Sequence, residues 1–244
     1  MSFLIYPTVK QAPILGMLGM GGGIARARGA SGPEIGDSYE GGFFAGYISA
    51  NANGVATHGL IVAPNASGTN GGTPLKVKTS QSATSGTTST YDGAANTANM
   101  NNSTHPAGQY CSGLSIGGYS DWYLPAFYEI EIAYYNLRPV NVANILGDGI
   151  SPGTNAYSVP SRASTNYTNN PATPGQTSVS IFQAGGSEAF DHNTSSGEAA
   201  KYHWTSTQFG SGDCNLFNFY NNGQQGDRGK TVTHQIRAFR KFAA

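Results

Sequence analysis

Charge is the property that this sequence most lacks. Charged residues make up 11% of its 244 residues, and 13 basic against 13 acidic side chains give a net charge of +0. Such a surface cannot neutralise a polyphosphate backbone or an anionic membrane by bulk electrostatics. Apolar runs long enough to span a bilayer are also missing. We therefore predict no nucleic-acid partner and no insertion into a membrane.

Cysteine is almost absent as well, and so are the residue spacings of common metal sites. Cys111 and Cys214 are the two cysteines, and they form either one disulfide or two buried thiols. No His-Glu-x-x-His or Cys-x-x-Cys sequence occurs, so we predict no required metal. Cys214 has His203 and His234 nearby in sequence, which leaves a Cys–His nucleophile as the catalytic alternative. We predict a chain that is not an enzyme and that uses no cofactor.

Glycine and small polar residues take the place of the missing charges. The chain has 34 glycines, and aromatic residues, 14 of them tyrosine, make up 11%. Tyrosine offers a large contact area at a low entropic cost, while Ser, Gly and Asn provide adaptable hydrogen bonds. This composition is typical of recognition surfaces that are built from loops. A loop-rich fold without a binding role is the alternative.

Residues 1–32 have the composition of an arm. Apolar residues between Phe3 and Met20 are interrupted by glycines, which disfavour a stable helix. Pro7 and Pro13 break the segment, so it is not a clean secretory signal. Because an irregular apolar segment cannot bury itself alone, we predict that residues 1–32 pack against other chains. A disordered terminus is the alternative.

The remaining residues, 33–244, form one predicted domain of short strands and a single clear helix. The helix follows Pro125, which fits a first turn, and its apolar residues recur at helical spacing. Alternating apolar and polar residues, separated by turn residues, predict the strands. The predicted strands cover 41–48, 58–63, 202–208, 215–220 and 232–242, and the predicted helix covers 126–137. Long irregular inserts are predicted over 65–106, as a surface excursion, and over 139–200, with short strands at 156–159 and 178–182.

Two short aromatic motifs have predicted structural roles. Trp122 and Trp204 are expected in the core, because large aromatic side chains usually serve packing. Tyr123, next to the first of them, is expected at the surface. The segment 205–207 is expected to form hydrogen bonds between strands, and lining a binding site is the alternative.

One of two arginines near the end of the chain is predicted to tie the C-terminal strand to the helix. Arg237 and Arg240 lie three residues apart on an extended segment and therefore face opposite sides. We expect one of them to pair with a carboxylate such as Glu129 or Asp121.

A hairpin near the end of the chain is the predicted ligand surface. The segment 208–230 combines amides and carboxylates, which pair with vicinal hydroxyls, with aromatic rings that stack on a sugar face. The predicted ligand-binding residues are Phe209, Asp213, Asn215, Asn218, Tyr220, Asn222, Gln224, Gln225, Asp227 and Arg228. A solvated hairpin without a ligand is the alternative.

Four segments, taken in order, resemble one known family. They are Asp121-Trp122-Tyr123-Leu124-Pro125, Trp204-Thr205-Ser206-Thr207-Gln208, the hairpin from Phe217 to Gly223, and Ile236-Arg237-Ala238-Phe239-Arg240. With them, roughly residues 40–242 resemble the family of the C-terminal domain of the collagen-like Legionella adhesin. The resemblance implies a C-type-lectin-like fold of the α+β class, loop-rich, with antiparallel strands and one or two helices. It also implies a trimer and binding of a glycan or surface polymer.

Phage tail proteins carry domains related to this family. Together with the apolar arm, the resemblance predicts a phage virion adhesin, a tail-fibre or tail-tip receptor-binding protein that is made in the host cytoplasm. Its predicted partners are two further copies of itself, other virion proteins through residues 1–32, and host surface glycan or polymer. A structural virion protein without a host ligand, such as a head fibre, decoration or fibre-joint protein, is the alternative. A secreted bacterial adhesin is a third.

Overall fold

A computed structural model describes residues 32–144, 153–168, 170, 172–191, 202–219, 223 and 225–244. Pro33–Ala244 form one unit by their internal contacts. The predicted arm, 1–32, lies outside the described residues except for its last residue. Within the described ranges, no helix has both the length and the apolar character needed to cross a membrane.

The described residues combine short antiparallel strands with a few helices, which confirms the predicted α+β class. The strands are β1 (Ser38–Tyr39), β2 (Gly42–Ile48), β3 (His58–Val62), β4 (Leu75–Lys76), β5 (Ser158–Val159), β6 (Tyr202–Gln208), β7 (Asp213–Asn218), β8 (Gln225–Gly229), β9 (Thr233–His234) and β10 (Phe239–Ala243). The helices are α1 (Asn65–Gly68), α2 (Gly93–Ala98), α3 (Pro106–Ser112) and α4 (Phe127–Leu137), and 3-10 turns cover Asn70–Gly72 and Ser180–Phe182.

The first sheet joins the start of the domain to its end. β2 and β3 form a hairpin, as the sequence predicts, and β10 pairs antiparallel with the other side of β3. β1 and β5 both pair with β2. The pairs Phe239–Val62 and Ala243–His58 define the register of β10. Because β10 is the last strand, this sheet is complete only when the end of the chain has docked.

The second sheet contains β6, β7 and β8 in chain order, all antiparallel. The strands predicted at 202–208 and 215–220 are confirmed as β6 and β7. The single strand predicted over 232–242 is wrong, because this segment is shared between sheets. β9 pairs with β4, and Gln235 then exchanges backbone hydrogen bonds with Tyr202 and Trp204 of β6. Only after these contacts does the chain enter the first sheet as β10.

Helix α4 begins where the sequence predicts and is enclosed by the domain. The backbone N–H of Ala126 donates to the Glu129 carboxylate at 2.8 Å, and that of Phe127 donates to the Thr207 hydroxyl at 3.0 Å. These contacts satisfy donors that the start of a helix leaves open. Eight of its eleven residues are buried, so the helix has little exposed face.

A glycine lets α4 approach the first sheet closely. Gly46 in β2 has a φ of 135°, and a Cβ atom there would lie 2.6 Å from the side-chain nitrogen of Asn136. The same Asn136 amide donates to the carbonyl of Ala45 at 2.7 Å. A side chain at position 46 would therefore displace the Asn136 amide and break its contact with Ala45.

The first predicted insert, 65–106, runs largely over the surface but is anchored in the domain at several points. It contains α1, α2 and the start of α3, and it supplies Val77 and Met100 to the core. The buried Asn96 of α2 donates to the Ser206 hydroxyl at 3.2 Å. The sequence did not indicate these anchors because this segment has few branched apolar residues and is held largely by polar side chains.

The second predicted insert, 139–200, is described only in part. Its short strand near 156–159 is confirmed as β5, whereas 178–182 contains a 3-10 turn and no strand. Tyr167, Phe182 and Phe190 from this region are all buried. The described part is therefore irregular but packed.

The core consists of two clusters. One surrounds Trp122 and Trp204, which confirms their predicted role, and the other surrounds α4. Tyr123 belongs to the second cluster and is 3% exposed, so its predicted surface position is wrong. Its hydroxyl donates to the buried Glu129 carboxylate at 3.0 Å, which lets the polar end of the side chain enter the core.

The predicted tie between an arginine and a carboxylate is confirmed. Arg240 donates through two nitrogen atoms to the Asp121 carboxylate, at 2.8 and 3.1 Å, and contacts Glu40 at 2.6 Å. Arg237, which belongs to the same segment, contacts Glu188 at 2.8 Å. Each arginine therefore connects the end of the chain to a different part of the domain.

Glu129 is a fully buried carboxyl at the start of α4. It accepts hydrogen bonds from the backbone of Gly93 and Ala126 and from the Tyr123 hydroxyl, and Lys241 Nζ lies 3.7 Å from it. Burial is the largest influence and raises the pKa of Glu129 to about 7, although Lys241 and the hydrogen bonds favour the charged form.

We predict that Glu129→Gln removes a pH dependence of stability. Between the ordinary carboxyl pKa of 4.5 and about 7, the folded chain keeps a proton that the unfolded chain has released. The contribution of Glu129 to stability therefore falls as the pH rises through that window and is level above it. Glutamine has no such proton, so the unfolding free energy of the variant, measured in urea, loses this slope. The exposed Glu34→Gln change is the control, and an unchanged slope in E129Q would contradict the prediction.

Candidate functional site, a surface of three loops

Three loops meet at one end of the second sheet. Residues 209–212 connect β6 to β7, residues 230–232 connect β8 to β9, and residues 79–84 follow β4. The backbone N–H of Lys230 donates to the carbonyl of Gly212 at 2.9 Å, which joins two of these loops. We call residues 79–84, 209–212 and 230–232 the three-loop surface.

The ammonium group of Lys230 holds the three loops together. Its Nζ donates to the carbonyls of Ser82 and Ser211, both at 3.0 Å, and to the side-chain oxygen of Gln208 at 2.5 Å. That same oxygen accepts the backbone N–H of Thr84 at 2.7 Å. Lys230 is 1% exposed, so all three of its donors are used inside the protein. Because hydrogen bonds from a charged donor are strong, the loop backbones are fixed before any ligand arrives.

A second lysine supports the loop 79–84 from the interior. Lys78 Nζ donates to the carbonyls of Ser82 and Ala83 at 3.2 and 2.7 Å. His105 Nε2 lies 2.8 Å from the Thr84 hydroxyl. Burial lowers the pKa of His105, and the charges of Lys78 and Lys230 lower it further. The imidazole is therefore neutral at pH 7 and adds no third positive charge beside the two ammonium groups.

Two apolar side chains are exposed on the three-loop surface. Phe209 is 60% exposed and Val232 is 44% exposed. Among the described residues, Phe209 is the one aromatic side chain in the set of large exposed apolar residues. Its backbone N–H donates to the carbonyl of Asp213 at 3.2 Å, so the ring is presented from a tight loop.

Small polar groups surround these apolar side chains. The hydroxyls of Ser80 and Ser82 are 3.0 Å apart and share a hydrogen bond. The Gln81 side chain reaches the Thr231 hydroxyl at 3.5 Å, and this contact bridges the loops 79–84 and 230–232. The surface thus offers hydroxyl and amide groups beside an aromatic ring, the combination that loop-built binding surfaces use.

The structure divides the ten predicted ligand-binding residues between surface and interior. Those that are at least partly exposed are Phe209, Asp213, Asp227 and Arg228. Those that are buried are Asn215, Asn218 and Gln225. Those that lie outside the described residues are Tyr220, Asn222 and Gln224. β7 is the central strand of its sheet and is covered on both faces, which explains why its polar side chains are buried. The ligand surface stays a prediction, and the three-loop surface adds residues that the prediction did not include.

The two cysteines do not offer a nucleophile. Cys111 and Cys214 are both free and buried, which confirms the thiol alternative. Cys214 Sγ contacts the carbonyls of Thr205 and Thr207 at 3.3 and 3.1 Å, and burial raises the pKa of this thiol to about 12. A thiol that keeps its proton at neutral pH is unreactive. Among the residues that the structure describes, no group of three or more His, Cys, Asp or Glu side chains is arranged to hold a metal ion.

Sequence reasoning missed Lys78, Lys230 and the loop 79–84. Lys230 stands in Gly229-Lys230-Thr231, which has the sequence of an ordinary exposed turn. Its partners are mostly main-chain carbonyls, and these leave no sequence motif. The scarcity of lysine in this chain was the only available signal that an individual lysine has a special place.

We predict that Lys230→Met loosens the three-loop surface. Methionine has no donor, so the Ser211 carbonyl loses its partner, while the Ser82 carbonyl keeps only Lys78 and the Gln208 oxygen keeps only the Thr84 N–H. We expect a cost of about 2–3 kcal/mol in unfolding free energy. Hydrogen exchange should accelerate at 80–84 and 209–212 well before the β2–β3 hairpin is affected. The exposed Lys76→Met change removes the same ammonium group elsewhere and should leave both measurements unchanged. Unaltered exchange in the K230M loops would show that Lys230 does not hold them.

A comparison with protein-family models found no match for this chain, and a comparison with curated proteins found none either. Function is therefore inferred from the fold, the motifs and the three-loop surface.

Proposed function

We propose that this chain is a phage virion adhesin whose C-type-lectin-like domain binds host surface glycan or polymer through the three-loop surface. In this proposal it is a tail-fibre or tail-tip protein, and residues 33–244 form the recognition domain. Residues 1–32 attach the domain to other virion proteins, and three copies of the chain assemble. The protein is made in the host cytoplasm and acts on the virion. It is not an enzyme and uses no cofactor.

The positions of the resembling motifs support the lectin-like assignment. Trp122 and Trp204 come from two different motifs, and both belong to the same core cluster. The last motif, 236–240, leads into β10, which places the end of the domain beside the β2–β3 hairpin near its start. Motifs that are far apart in sequence therefore meet in space, as expected when they belong to one fold.

The exposed ring of Phe209 is the observation that carries the binding proposal. Among the described residues, few large apolar side chains are exposed, and Phe209, at 60%, lies on the same surface as the exposed Val232. A partner that covers this ring would remove apolar surface from water. The ring can stack on the apolar face of a sugar, while the neighbouring hydroxyls and the partly exposed Asp213 can bind its hydroxyl groups. Because Lys230 fixes the loops in advance, binding requires little further ordering of the backbone.

The test measures binding of the full-length chain to bacterial cells and to a glycan array, with and without Phe209→Ala. We expect the variant to bind at least about tenfold more weakly, which corresponds to about 1.4 kcal/mol, because an aromatic anchor at the centre of a binding surface dominates its energy. Val55→Ala removes another exposed apolar side chain, 65% exposed in the loop between β2 and β3. This control should bind as the unchanged chain does.

Two results would contradict the proposal in different ways. Full binding by a correctly folded F209A variant would mean that the ligand does not use the three-loop surface. If the unchanged chain bound neither cells nor glycans but was incorporated into particles, a structural virion role would replace that of an adhesin.

A further inference from the structure

A concave site lies at the start of β6, away from the three-loop surface at its end. It is a pocket of about 270 Å³ whose walls come from 65–72, 185–191 and 235–237, with His203 of β6 between them. His203 and Gln208 stand five residues apart on β6, so the pocket and the three-loop surface are separated by about 17 Å. The pocket is therefore a site of its own.

An ion pair fixes two walls of the pocket to each other. The Glu188 carboxylate accepts the backbone N–H of Asn65 at 2.7 Å and a guanidinium nitrogen of Arg237 at 2.8 Å. Arg237 Nε also donates to the carbonyl of Ala63 at 2.6 Å. Arg237 is 1% exposed, so its position is defined by these contacts. The cavity is held open by bonds outside it and does not depend on a ligand for its shape.

The Gln235 side chain connects two of the segments that line the pocket, 65–72 and 185–191. Its side-chain nitrogen donates to the carbonyl of Gly72 at 3.0 Å and to the Asp191 carboxylate at 3.2 Å. Its backbone is bound to β6 at Tyr202 and Trp204. All the segments that line the pocket are thus tied to the second sheet or to each other.

His203, one of the lining residues, carries a buried ring nitrogen without a hydrogen-bond partner. The side chain is 2% exposed, and its Nδ1 has no hydrogen-bond partner. The ring packs edge-on against Phe190 and Phe219, with centroids 5.5 and 5.0 Å away. Burial, together with the charges of Arg237 and His234, lowers the pKa of His203 to about 3. A buried neutral imidazole with a free nitrogen is best satisfied by a hydroxyl group, which can donate or accept.

The charges around the pocket disfavour charged ligands of either sign. Arg237 and Asp191 are the charged side chains among the described lining residues. Glu188 already neutralises Arg237, so an anion finds no free counterion and would lie beside the Asp191 carboxylate. A cation would lie beside the Arg237 guanidinium, and the Asp191 carboxylate already accepts a hydrogen bond from Gln235. Burying an unpaired charge there is costly. An uncharged ligand avoids both penalties.

The size of the pocket limits the ligand to a single ring. Its volume of about 270 Å³ is just below the range of about 300–1,000 Å³ that drug-sized ligands occupy. Gly72, Gly185, Gly186 and Ala189 line it, and their small side chains leave the space free. A long polymer would not enter, although its terminal residue would.

We propose that this pocket binds one uncharged ring that carries hydroxyl groups, such as a single neutral sugar residue. The ring is either a free monosaccharide or the terminal residue of a glycan. Only the second source rests on the proposed adhesin function, because a free sugar would bind whether or not the chain recognises a host.

The test is a titration of the full-length chain, followed by ligand-observed NMR, with matched sets of sugars. Each set contains a neutral hexose, its uronic acid and its 2-amino sugar, in the gluco, galacto and manno series. We expect at least one neutral hexose to bind about tenfold or more tightly than both of its charged counterparts. Binding to an oligosaccharide that ends in that hexose and is immobilised at its other end then shows whether the pocket takes the terminal residue of a glycan or only a free sugar.

Two substitutions locate the binding. Ala189→Leu fills the pocket and should abolish the NMR signal, whereas Ala95→Leu, which adds the same group on the exposed side of α2, should not change it. His203→Phe keeps a ring of similar shape without the free nitrogen and should weaken binding about tenfold. Thermal unfolding confirms that each variant is folded.

The proposal is overturned if no neutral hexose binds, if the charged sugars bind as tightly, or if folded A189L still binds. F209A distinguishes this site from the three-loop surface. We expect the F209A variant to keep monosaccharide binding whether or not it still binds host cells. Failure of one proposal therefore does not decide the other, which has its own test.

Discussion

Residues 233–243 join the two larger sheets, because they leave the second sheet at Gln235 and enter the first as β10. Three basic side chains of this short segment also form ion pairs with separate parts of the chain: Arg237 with Glu188, Arg240 with Asp121 and Glu40, and Lys241 with Asp92. In a chain with so few charges, this concentration means that the end of the sequence organises regions that have little apolar surface of their own. Each of these ion pairs connects the segment 233–243 to a different part of the chain.

The elements that were predictable are those with strong local periodicity. The hairpin of β2 and β3, helix α4 and the strands β6 and β7 each bury apolar residues at regular intervals, and hydrophobic burial is the largest local signal in a sequence. Tyr123 and the anchors of the segment 65–106 were misjudged because their burial depends on polar partners, such as Glu129 for the Tyr123 hydroxyl and Ser206 for Asn96. Hydrogen bonds between distant residues have no periodicity, so no pattern within a short window records them.

The candidate site was predictable only in its outline. Phe209 was identified because an aromatic residue stands among polar ones in a turn, and this remains the strongest feature of the surface. Asn215 and Asn218 were included because amides pair with vicinal hydroxyls, yet both are buried on β7, the central strand of its sheet. Alternation of polar and apolar residues alone does not distinguish a central strand from an edge strand. The pocket beside His203 could not be foreseen, because its walls come from three segments that only the complete fold brings together.

The lysine that fixes the three loops contacts main-chain carbonyls of Ser82 and Ser211 and only one side chain, Gln208. Main-chain atoms are the same in every amino acid, so the anchoring does not depend on which side chains the loops carry outward. Substitutions at the exposed positions of 80–82, 209 and 211 can therefore alter the chemistry presented to a partner without weakening the framework beneath. Such a separation between anchor and outer surface lets single mutations change the side chains that the loops present while the stability of the domain stays almost constant.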